Sequence, residues 1–273
     1  MKTKEDLIEV FNKTLEVINV GGYENMKGDW IDIKQDINSK FYVTVPALQT
    51  DNLPTYKTKI TVENKDTFQA AQQVGPDCAV LNMASYNNPG GGVIFGSRAQ
   101  EEELCRRSNL FLTLAEYDER TYKLVDWDKP NEKNHYPIPL FGGIYSPRVC
   151  IFRSILSYSF LDVPFTCNVI SVPAVKRPEI DSKTGDMISK YEIIMCGKIR
   201  AIFRIALSNN IYKLILGAMG CGAYGCPSKH VARLFKKVLE EKEFIGKFKE
   251  IHFAIIDDAK KQNLKNFRDT FRI

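Results

Sequence analysis

The sequence lacks the long apolar segments of membrane proteins and of secreted precursors. No apolar run approaches the ~20 residues that a membrane-spanning helix needs. The first six residues, Met1-Lys-Thr-Lys-Glu-Asp6, contain no apolar segment of the kind found in a signal peptide. We therefore expect a cytoplasmic protein with no membrane partner.

Disulfide and metal-binding patterns are also missing. Seven cysteines are scattered over the 273 residues, and an odd number at wide spacing argues against a disulfide framework. Cys221 and Cys226 lie close in sequence, but no histidine or second cysteine pair accompanies them, so a zinc site is not expected. The histidines, at positions 135, 230 and 252, are isolated. We predict buried, reduced thiols, no metal and no cofactor.

The net charge of the chain excludes few classes of binding partner. The formal net charge is +5, which suits a polyanionic partner but is shared by many soluble proteins. No basic block is interleaved with aromatic residues, so generic nucleic-acid binding is not indicated. The apolar fraction of 44% is ordinary for a globular protein with a substantial core.

Strand-like and helix-like segments alternate along most of the chain. The predicted strands are 41–45, 57–63, 78–84, 149–152, 168–172, 214–217 and 251–256, and the predicted helices are 5–18, 68–74, 98–110, 187–209, 228–241 and 262–271. Such alternation predicts an α/β sheet with helices on both faces. Because no linker or repeat is visible, we predict one domain, residues 57–273, preceded by an N-terminal helical extension, residues 1–56.

Two glycine-rich loops each follow a predicted buried strand and precede a predicted helix. The first closes with Gly90, Gly91 and Gly92, and the second runs from Met219 to Pro227. Bare backbone before a helix start presents N–H groups to anions. For the first loop, the simpler interpretation is a glycine-rich connection followed by an acid-rich first helical turn, which suits the helix dipole. In an α/β sheet both loops would lie at the carboxyl ends of strands, where they could flank one crevice.

The first loop and the residues after it resemble a known family signature. Asn88-Pro89 precedes the three glycines, and Gln100-Glu101-Glu102 follows them after a short spacer. This sequence pattern resembles the signature of microbial-type poly(ADP-ribose) glycohydrolases, which are built on a macrodomain. The resemblance implies a three-layer α/β/α, macrodomain-like mixed sheet and covers roughly residues 57–273.

The resemblance assigns separate roles to the two adjacent glutamates. It makes Glu102 the general acid, which later activates water, and Glu101 the residue that hydrogen-bonds ribose hydroxyls, with Gln100 in support. Side chains of neighbouring helical residues diverge by about 100°, so we expect Glu101 and Glu102 to point in different directions. Glu103 has no role in the resemblance, and we expect it to face solvent.

The remaining ligand contacts also come from the resemblance. It places a diphosphate on the second loop, at Gly220, Cys221, Gly222, Ala223 and Gly225, and a distal ribose against Tyr224. Tyr224 is equally interpretable as an aromatic anchor for its loop. The first loop, Gly90 to Gly92, would wrap the distal ribose and a phosphate. Asn88 is either a ribose contact or a turn residue before Pro89.

The stretch from Phe111 to Pro147 has little periodicity. Acidic, amide and proline residues crowd it, at Asp118, Asp126, Asp128, Pro130, Asn131, Asn134, Pro137 and Pro139. Because it directly follows the helix that would carry the two glutamates, it is either a functional loop over the site or a plain surface excursion.

The sequence thus predicts a hydrolase that cleaves the ribose–ribose O-glycosidic bonds of poly(ADP-ribose) and releases ADP-ribose. One alternative is removal of mono-ADP-ribose from protein or nucleic acid. Another is a non-catalytic ADP-ribose-binding macrodomain, although a reader does not need Glu102. The sequence leaves the acceptor, the choice between internal and terminal cleavage, and the oligomeric state open.

Overall fold

The computed structural model describes residues 2–33, 38–122, 124, 135–256 and 262–273. Its elements in chain order are α1 (Lys4–Val20), β1 (Gly22–Glu24), β2 (Trp30–Asp32), β3 (Lys40–Tyr42), β4 (Lys59–Glu63), α2 (Thr67–Val74), β5 (Cys78–Asn82), α3 (Gln100–Arg107), α4 (Leu110–Ala115), α5 (Glu119–Tyr122), β6 (Gly143–Arg153), β7 (Phe160–Ser171), α6 (Ser189–Ser208), β8 (Lys213–Leu216), α7 (Ser228–Leu239), β9 (Glu250–Ala254) and α8 (Asn263–Phe271). A 3-10 turn at Val93–Phe95 lies between β5 and α3.

Seven of the described strands form one mixed sheet, in the order β3-β6-β7-β5-β8-β9-β4. The strands from β7 to β4 run parallel to one another, and β6 and β3 add antiparallel strands at one edge. β1 and β2 pair in a separate ribbon. The predicted mixed α/β sheet is confirmed. Because the parallel strands share one direction, the residues that follow them gather at one edge of the sheet.

Helices cover both faces of this sheet, as the central strand β5 shows. Ala79 and Leu81 pack in an apolar cluster with α6, α7 and α8. Cys78 and Val80 point the other way, into a cluster with α2, α3 and α4. Every residue of β5 is buried, as expected for a continuous apolar run between two helical layers.

The residues before position 57 contain more than the predicted helix. α1 starts with a capping box at Thr3 and ends at Gly21, whose φ of 83° is left-handed. The ring of Phe11 packs edge-on against Phe111 at 5.0 Å between centroids. β3 pairs with β6 and so extends the main sheet. This segment therefore packs on the sheet and supplies its edge strand.

The helix predicted over 98–110 is interrupted in the structure. Ser108 is extended and forms a β-bridge with Ile151. Asn109 follows it, and its side-chain Oδ1 accepts the N–H of Cys150 at 2.8 Å while its own N–H donates to the carbonyl of Cys150 at 3.1 Å. Pairing with β6 competes with the helix at this point, so α3 ends at Arg107 and α4 begins afresh.

Cysteine burial follows the sequence expectation, since all seven cysteines are buried and none forms a disulfide. Within the described ranges, no helix is long and apolar enough to cross a membrane. The same residues hold no group of three or more His, Cys, Asp or Glu side chains placed to bind a metal ion.

Asp66 fastens α2 to α3. Its Oδ1 accepts the backbone N–H groups of Phe68 at 3.0 Å and Gln69 at 3.2 Å, which makes it the N-cap of α2. The same oxygen accepts a bond of 2.9 Å from Nη1 of Arg107, whose side chain is 4% exposed. Without Asp66 this guanidinium would be a buried charge without a carboxylate.

We predict that Asp66→Ala lowers the free energy of unfolding by about 3 kcal/mol or more, because it removes a helix cap and leaves a buried charge uncompensated. Asp66→Asn keeps an oxygen that accepts bonds from α2 and Arg107, so its loss should be smaller. Urea denaturation of the three proteins measures both effects. A loss below about 1 kcal/mol for Asp66→Ala would show that this pair does not fasten the helices.

Candidate active site

A cavity of about 690 Å³ lies at the carboxyl ends of the parallel strands. Ser85 lines it after β5, Gly220 after β8 and Ile255 after β9. The start of α3 closes one side. Sheets of this kind bind ligands at this edge, and we call this cavity the cleft. Both glycine-rich loops reach it, which is where the sequence analysis placed them.

Gln100 ties the start of α3 to the end of β5. Its Oε1 accepts the N–H of Met83 at 2.8 Å, and its Nε2 donates to the carbonyl of Leu81 at 2.6 Å and to Oγ1 of Thr67 at 3.4 Å. The side chain lines the cleft, but its polar atoms are bonded to protein. Gln100 therefore acts by fixing where the next two residues lie.

Glu101 is a carboxyl group in an almost closed environment, 3% exposed. Its Oε2 accepts the N–H of Ser85 at 2.6 Å, and its Oε1 accepts from Nδ2 of Asn82 at 3.4 Å. Burial raises the pKa of Glu101 to about 8, and the negative charge of Glu102 adds to this, against the opposing effect of the Ser85 bond. Glu101 is therefore mostly neutral near pH 7.

Glu102 holds the first loop against the helix start. Its Oε1 accepts the N–H of Gly92 at 2.8 Å, and its Oε2 accepts the N–H of Ala99 at 3.0 Å. The bond to Ala99 is the return half of a capping box, in which the third helical residue reaches back to the N-cap. The carboxylate is 7% exposed and is held in one orientation beside the cleft.

The two glutamates converge, contrary to the divergence expected from helix geometry. A Cβ placed on Gly91 would lie 2.6 Å from Oε1 of Glu102 and 2.9 Å from Oε2 of Glu101. Both side chains bend toward the loop because its backbone supplies their hydrogen-bond donors. The result is a pair of adjacent carboxyl groups that share one wall of the cleft.

Glu103 does not simply face solvent, so that expectation is wrong. Its Oε1 accepts from Nη1 of Arg106 at 2.9 Å, and Arg106 is fully buried. The hydroxyl of Tyr158 also donates to this carboxylate, at 2.7 and 2.9 Å. Glu103 is needed because a buried guanidinium must have a charged partner.

The glycines of the first loop pack against the protein more than they open toward a ligand. A Cβ on Gly90 would meet the ring of Phe111 at 2.8 Å, and one on Gly92 would overlap Oγ of Ser97. The N–H of Gly91 donates to the carbonyl of Asn88 at 3.0 Å, and the N–H of Gly92 goes to Glu102. The triplet is thus required by close packing.

Asn88 lines the cleft with an exposed side chain. Its backbone is part of the turn, since its N–H donates to Oγ of Ser85 at 3.2 Å and its carbonyl accepts from Gly91. The turn interpretation is therefore satisfied, and contact between the Asn88 side chain and a ribose stays a prediction.

The second loop has the open backbone that the first lacks. Gly222 and Gly225 have no atom within 4 Å of an added Cβ. Among the described residues, no hydrogen bond takes up the backbone N–H groups of Gly222, Ala223 and Tyr224. Gly220 differs, because its φ of +76° and its contacts with Cys226 and Ala174 serve the turn itself. The buried Cys221 lies in the same turn, with its Sγ 3.6 Å from the carbonyl of Met219.

Tyr224 connects the two loops. Burial raises the pKa of Tyr224, with further contributions from the charges of Glu101 and Glu102 and an opposing effect from the backbone of Tyr86 beside the first loop. The ring lines the cleft, and Nζ of Lys176 lies 6.0 Å from its centroid. The side chain is half-buried, so it anchors its loop and also presents a face to the cleft.

Tyr136 approaches the site from the stretch 111–147. Its hydroxyl is buried without a hydrogen-bond partner among the described residues, and the charge of Glu101 contributes to the raised pKa of Tyr136, after burial. The N–H of Ile138 donates to the carbonyl of Tyr86 at 3.0 Å. Part of this stretch therefore packs behind the site. Asp126, Asp128, Pro130, Asn131 and Asn134 lie outside the described residues.

Sequence reasoning missed Asn82 and Ser85, which hold Glu101. Asn82 is the last residue of β5 and Ser85 lies three residues further on, at the edge where polar side chains collect in an α/β sheet. That position was the available signal. Their partner, Glu101, could not be predicted from the sequence, because the bend of its side chain toward them depends on the packing of α3 against β5.

The family described as microbial-type PARG, catalytic domain, matches residues 12–154. No curated protein matches the chain.

Several solved structures share the fold. The poly(ADP-ribose) glycohydrolase of Thermomonospora curvata aligns with a TM-score of 0.79 at 24% identity, over 98% of this chain and 100% of that one. The same enzyme bound to the inhibitor ADP-HPD gives 0.75 at 24% identity, over 97% and 99%. The Deinococcus radiodurans enzyme in complex with ADP-ribose gives 0.64 at 26% identity, over 98% and 90%.

The raised pKa of Glu101 predicts a pH-dependent stability. The folded protein keeps this proton up to about pH 8, whereas an unfolded chain releases it near the ordinary value of 4.5. Between these values the folded state binds more protons, so the free energy of unfolding falls by up to about 1.4 kcal/mol per pH unit as pH rises.

Glu101→Gln should remove this component, and urea denaturation at pH 5, 6, 7 and 8 measures it. The difference in slope between wild type and variant isolates Glu101, because the other titrating groups are common to both. Parallel profiles for wild type and Glu101→Gln would mean that Glu101 is ionised throughout.

Gly91→Ala should destabilise the protein by about 1–3 kcal/mol, since φ is +61° and the new methyl group would press on both carboxyl groups. Gly222→Ala is the matched control and should change stability by less than about 0.5 kcal/mol. Thermal unfolding compares the two. Equal losses of stability in Gly91→Ala and Gly222→Ala would show that the two loops are packed alike.

Proposed function

This chain belongs to the microbial-type PARG catalytic-domain family, and we propose that it hydrolyses the ribose–ribose O-glycosidic bonds of poly(ADP-ribose) and releases ADP-ribose. Family membership rests on the match over residues 12–154. The observation that carries the proposal is the convergence of two buried carboxyl groups on Gly91, in the cleft that the second loop lines with open backbone.

Glycoside hydrolysis needs an acid for the leaving oxygen and stabilisation of an oxocarbenium-like centre. We propose that Glu102 protonates the leaving ribose oxygen and then activates the water that completes hydrolysis. Its two backbone hydrogen bonds hold the carboxyl group in position before the substrate arrives. Such fixed orientation supports proton transfer, because no side-chain rotation has to precede it.

Glu101 complements this role as a neutral group. With its pKa raised to about 8 by burial, it can lie beside Glu102 and a substrate diphosphate without adding a second negative charge. We propose that it hydrogen-bonds the ribose hydroxyls next to the scissile bond. The bonds from Ser85 and Asn82 fix its orientation.

The second loop is the proposed diphosphate site. The N–H groups of Gly222, Ala223 and Tyr224 line the cleft without partners in the described part of the chain, and oriented backbone donors of this kind bind phosphates. The ring of Tyr224 would pack against the distal ribose. Asn88 and the first loop would contact the same sugar from the other side.

Organisation and location are proposals of the same kind. We assign residues 57–273 to a macrodomain-type catalytic domain and residues 1–56 to an N-terminal extension that packs on it. A cytoplasmic location agrees with seven buried thiols, since reducing compartments keep cysteines unpaired.

Glu102→Gln should lower the rate of ADP-ribose release from purified polymer by at least ~10²-fold, because the general acid is lost, while ADP-ribose binding stays within a few-fold of wild type. Release is measured by chromatography and binding by calorimetry. Glu103→Gln, which removes the neighbouring charge outside the proposed chemistry, should release ADP-ribose at about the wild-type rate per folded molecule.

Release by Glu102→Gln at the wild-type rate would remove Glu102 from this role. Binding without release by the wild-type protein would refute hydrolysis of the polymer. Mono-ADP-ribosylated protein and nucleic acid would then be the next substrates to assay, and failure on both would leave a binding module.

A further inference from the structure

A second cavity, of about 510 Å³, lies at the opposite end of the sheet from the cleft. Asp77 precedes β5, Lys213 begins β8 and Lys249 precedes β9, so they mark the amino ends of three adjacent parallel strands. The register places Lys213 between Cys78 and Glu250. We call this the amino-terminal cavity. Ligands of α/β sheets usually bind at the carboxyl ends of the strands, so this usual position does not explain a cavity at the amino ends.

Positive charge dominates the walls of the amino-terminal cavity. Lys213, Lys249 and Arg148 line it, against one carboxylate, Asp77, among its described lining residues. Within the described part of the chain, neither Lys213 nor Lys249 forms an ion pair. Two ammonium groups and a guanidinium beside a concave surface with one described lining carboxylate attract an anion.

An aromatic pair forms another wall. The rings of Tyr56 and Tyr212 lie 5.6 Å apart at an angle of 52°, and both side chains are partly exposed. The backbone holds the pair in place, because the N–H of Tyr56 donates to the carbonyl of Gly246 and the N–H of Lys249 donates to the carbonyl of Tyr212, each at 2.7 Å. Fixed, partly exposed tyrosines suit stacking with a planar base.

The floor of the cavity is built around Asn168, which is 8% exposed. Its Oδ1 accepts from the hydroxyl of Tyr145 and the N–H of Arg148, and its Nδ2 donates to the carbonyls of Pro76 and Cys78. Arg148 sits at a bulge between β6 and β7 with a left-handed φ of 49°. The hydrogen-bonding groups of the buried Asn168 amide are all used, and they hold the strained bulge in place. The bulge therefore fixes the backbone from which the Arg148 side chain extends.

We propose that the amino-terminal cavity is a second binding site, for an adenine nucleotide that carries a diphosphate. The base stacks on the ring of Tyr56 beside the tilted ring of Tyr212, and Asp77 accepts a hydrogen bond from its exocyclic amine. Lys213 and Lys249 neutralise the phosphates. The volume lies within the range of roughly 300–1,000 Å³ that is usual for small-molecule sites.

A polymer of ADP-ribose repeats this ligand in every unit. When the end of a polymer chain lies in the cleft, the amino-terminal cavity therefore binds a more distant ADP-ribose unit of the same chain. This tethering raises the local concentration of polymer ends at the cleft. This identity of the ligand rests on the proposed function, whereas binding of the nucleotide itself does not.

The test is calorimetric titration with ADP-ribose at low salt. Gly222→Glu is used to close the cleft, since its side chain enters open space at the proposed diphosphate site. We expect two equivalents bound by wild type and one by Gly222→Glu. Adding Lys213→Glu and Lys249→Glu to Gly222→Glu should weaken the remaining site at least about tenfold.

Lys13→Glu with Lys27→Glu makes the same change in net charge on exposed residues away from both cavities, and should leave the remaining site unchanged. Tyr56→Leu should weaken ADP-ribose binding there but not the binding of pyrophosphate, which has no base. No binding by Gly222→Glu, or equal losses from the two lysine pairs, would overturn the proposal.

The polymer-release assay on wild type separates the two proposals. Nucleotide binding by Gly222→Glu without polymer hydrolysis by wild type would keep the second site and refute the proposed function. Hydrolysis by wild type without binding by Gly222→Glu would refute only the second site.

Discussion

The burial of two adjacent carboxyl groups at the start of α3 is the constraint on which the site depends. A buried carboxyl group requires hydrogen-bond donors, and the backbone N–H groups of Ser85, Gly92 and Ala99 supply them. These donors lie in the segment that follows β5 and at the helix start. The first glycine-rich loop is therefore folded around Glu101 and Glu102, and strand, loop and helix form one unit.

Because of this constraint, the backbone N–H groups of the two glycine-rich loops differ in their hydrogen bonding. In the first loop, Gly91 and Gly92 direct their N–H groups to protein acceptors. In the second loop, the N–H groups of Gly222, Ala223 and Tyr224 have no partner in the described part of the chain, and all three residues line the cleft. In the proposed function, acid chemistry thus belongs to one wall of the cleft and anion binding to the other.

Much of the fold was predictable because it follows from local patterns, whereas the site geometry was only partly so. The apolar run of β5 and the helices predicted over 5–18 and 68–74 matched their expected structures. The convergence of Glu101 and Glu102 did not, because helix geometry fixes Cβ directions but not the bends imposed by donors elsewhere in the chain. Pairings across long sequence separations, such as the bridge of Ser108 with Ile151, leave no local signal.

The same reasoning explains why so short a helix can carry the proposed chemistry. α3 has eight residues, too few for an isolated helix to be stable in water. Both of its ends are fastened by buried polar contacts: Gln100 bonds to the end of β5, and Arg107 pairs with Asp66 at the start of α2. Carboxyl groups at its amino end and guanidinium groups at its carboxyl end also agree with the helix dipole. The helix is thus held by its neighbours in the sheet and in the helical layer, and this fixes Glu102 before any substrate binds.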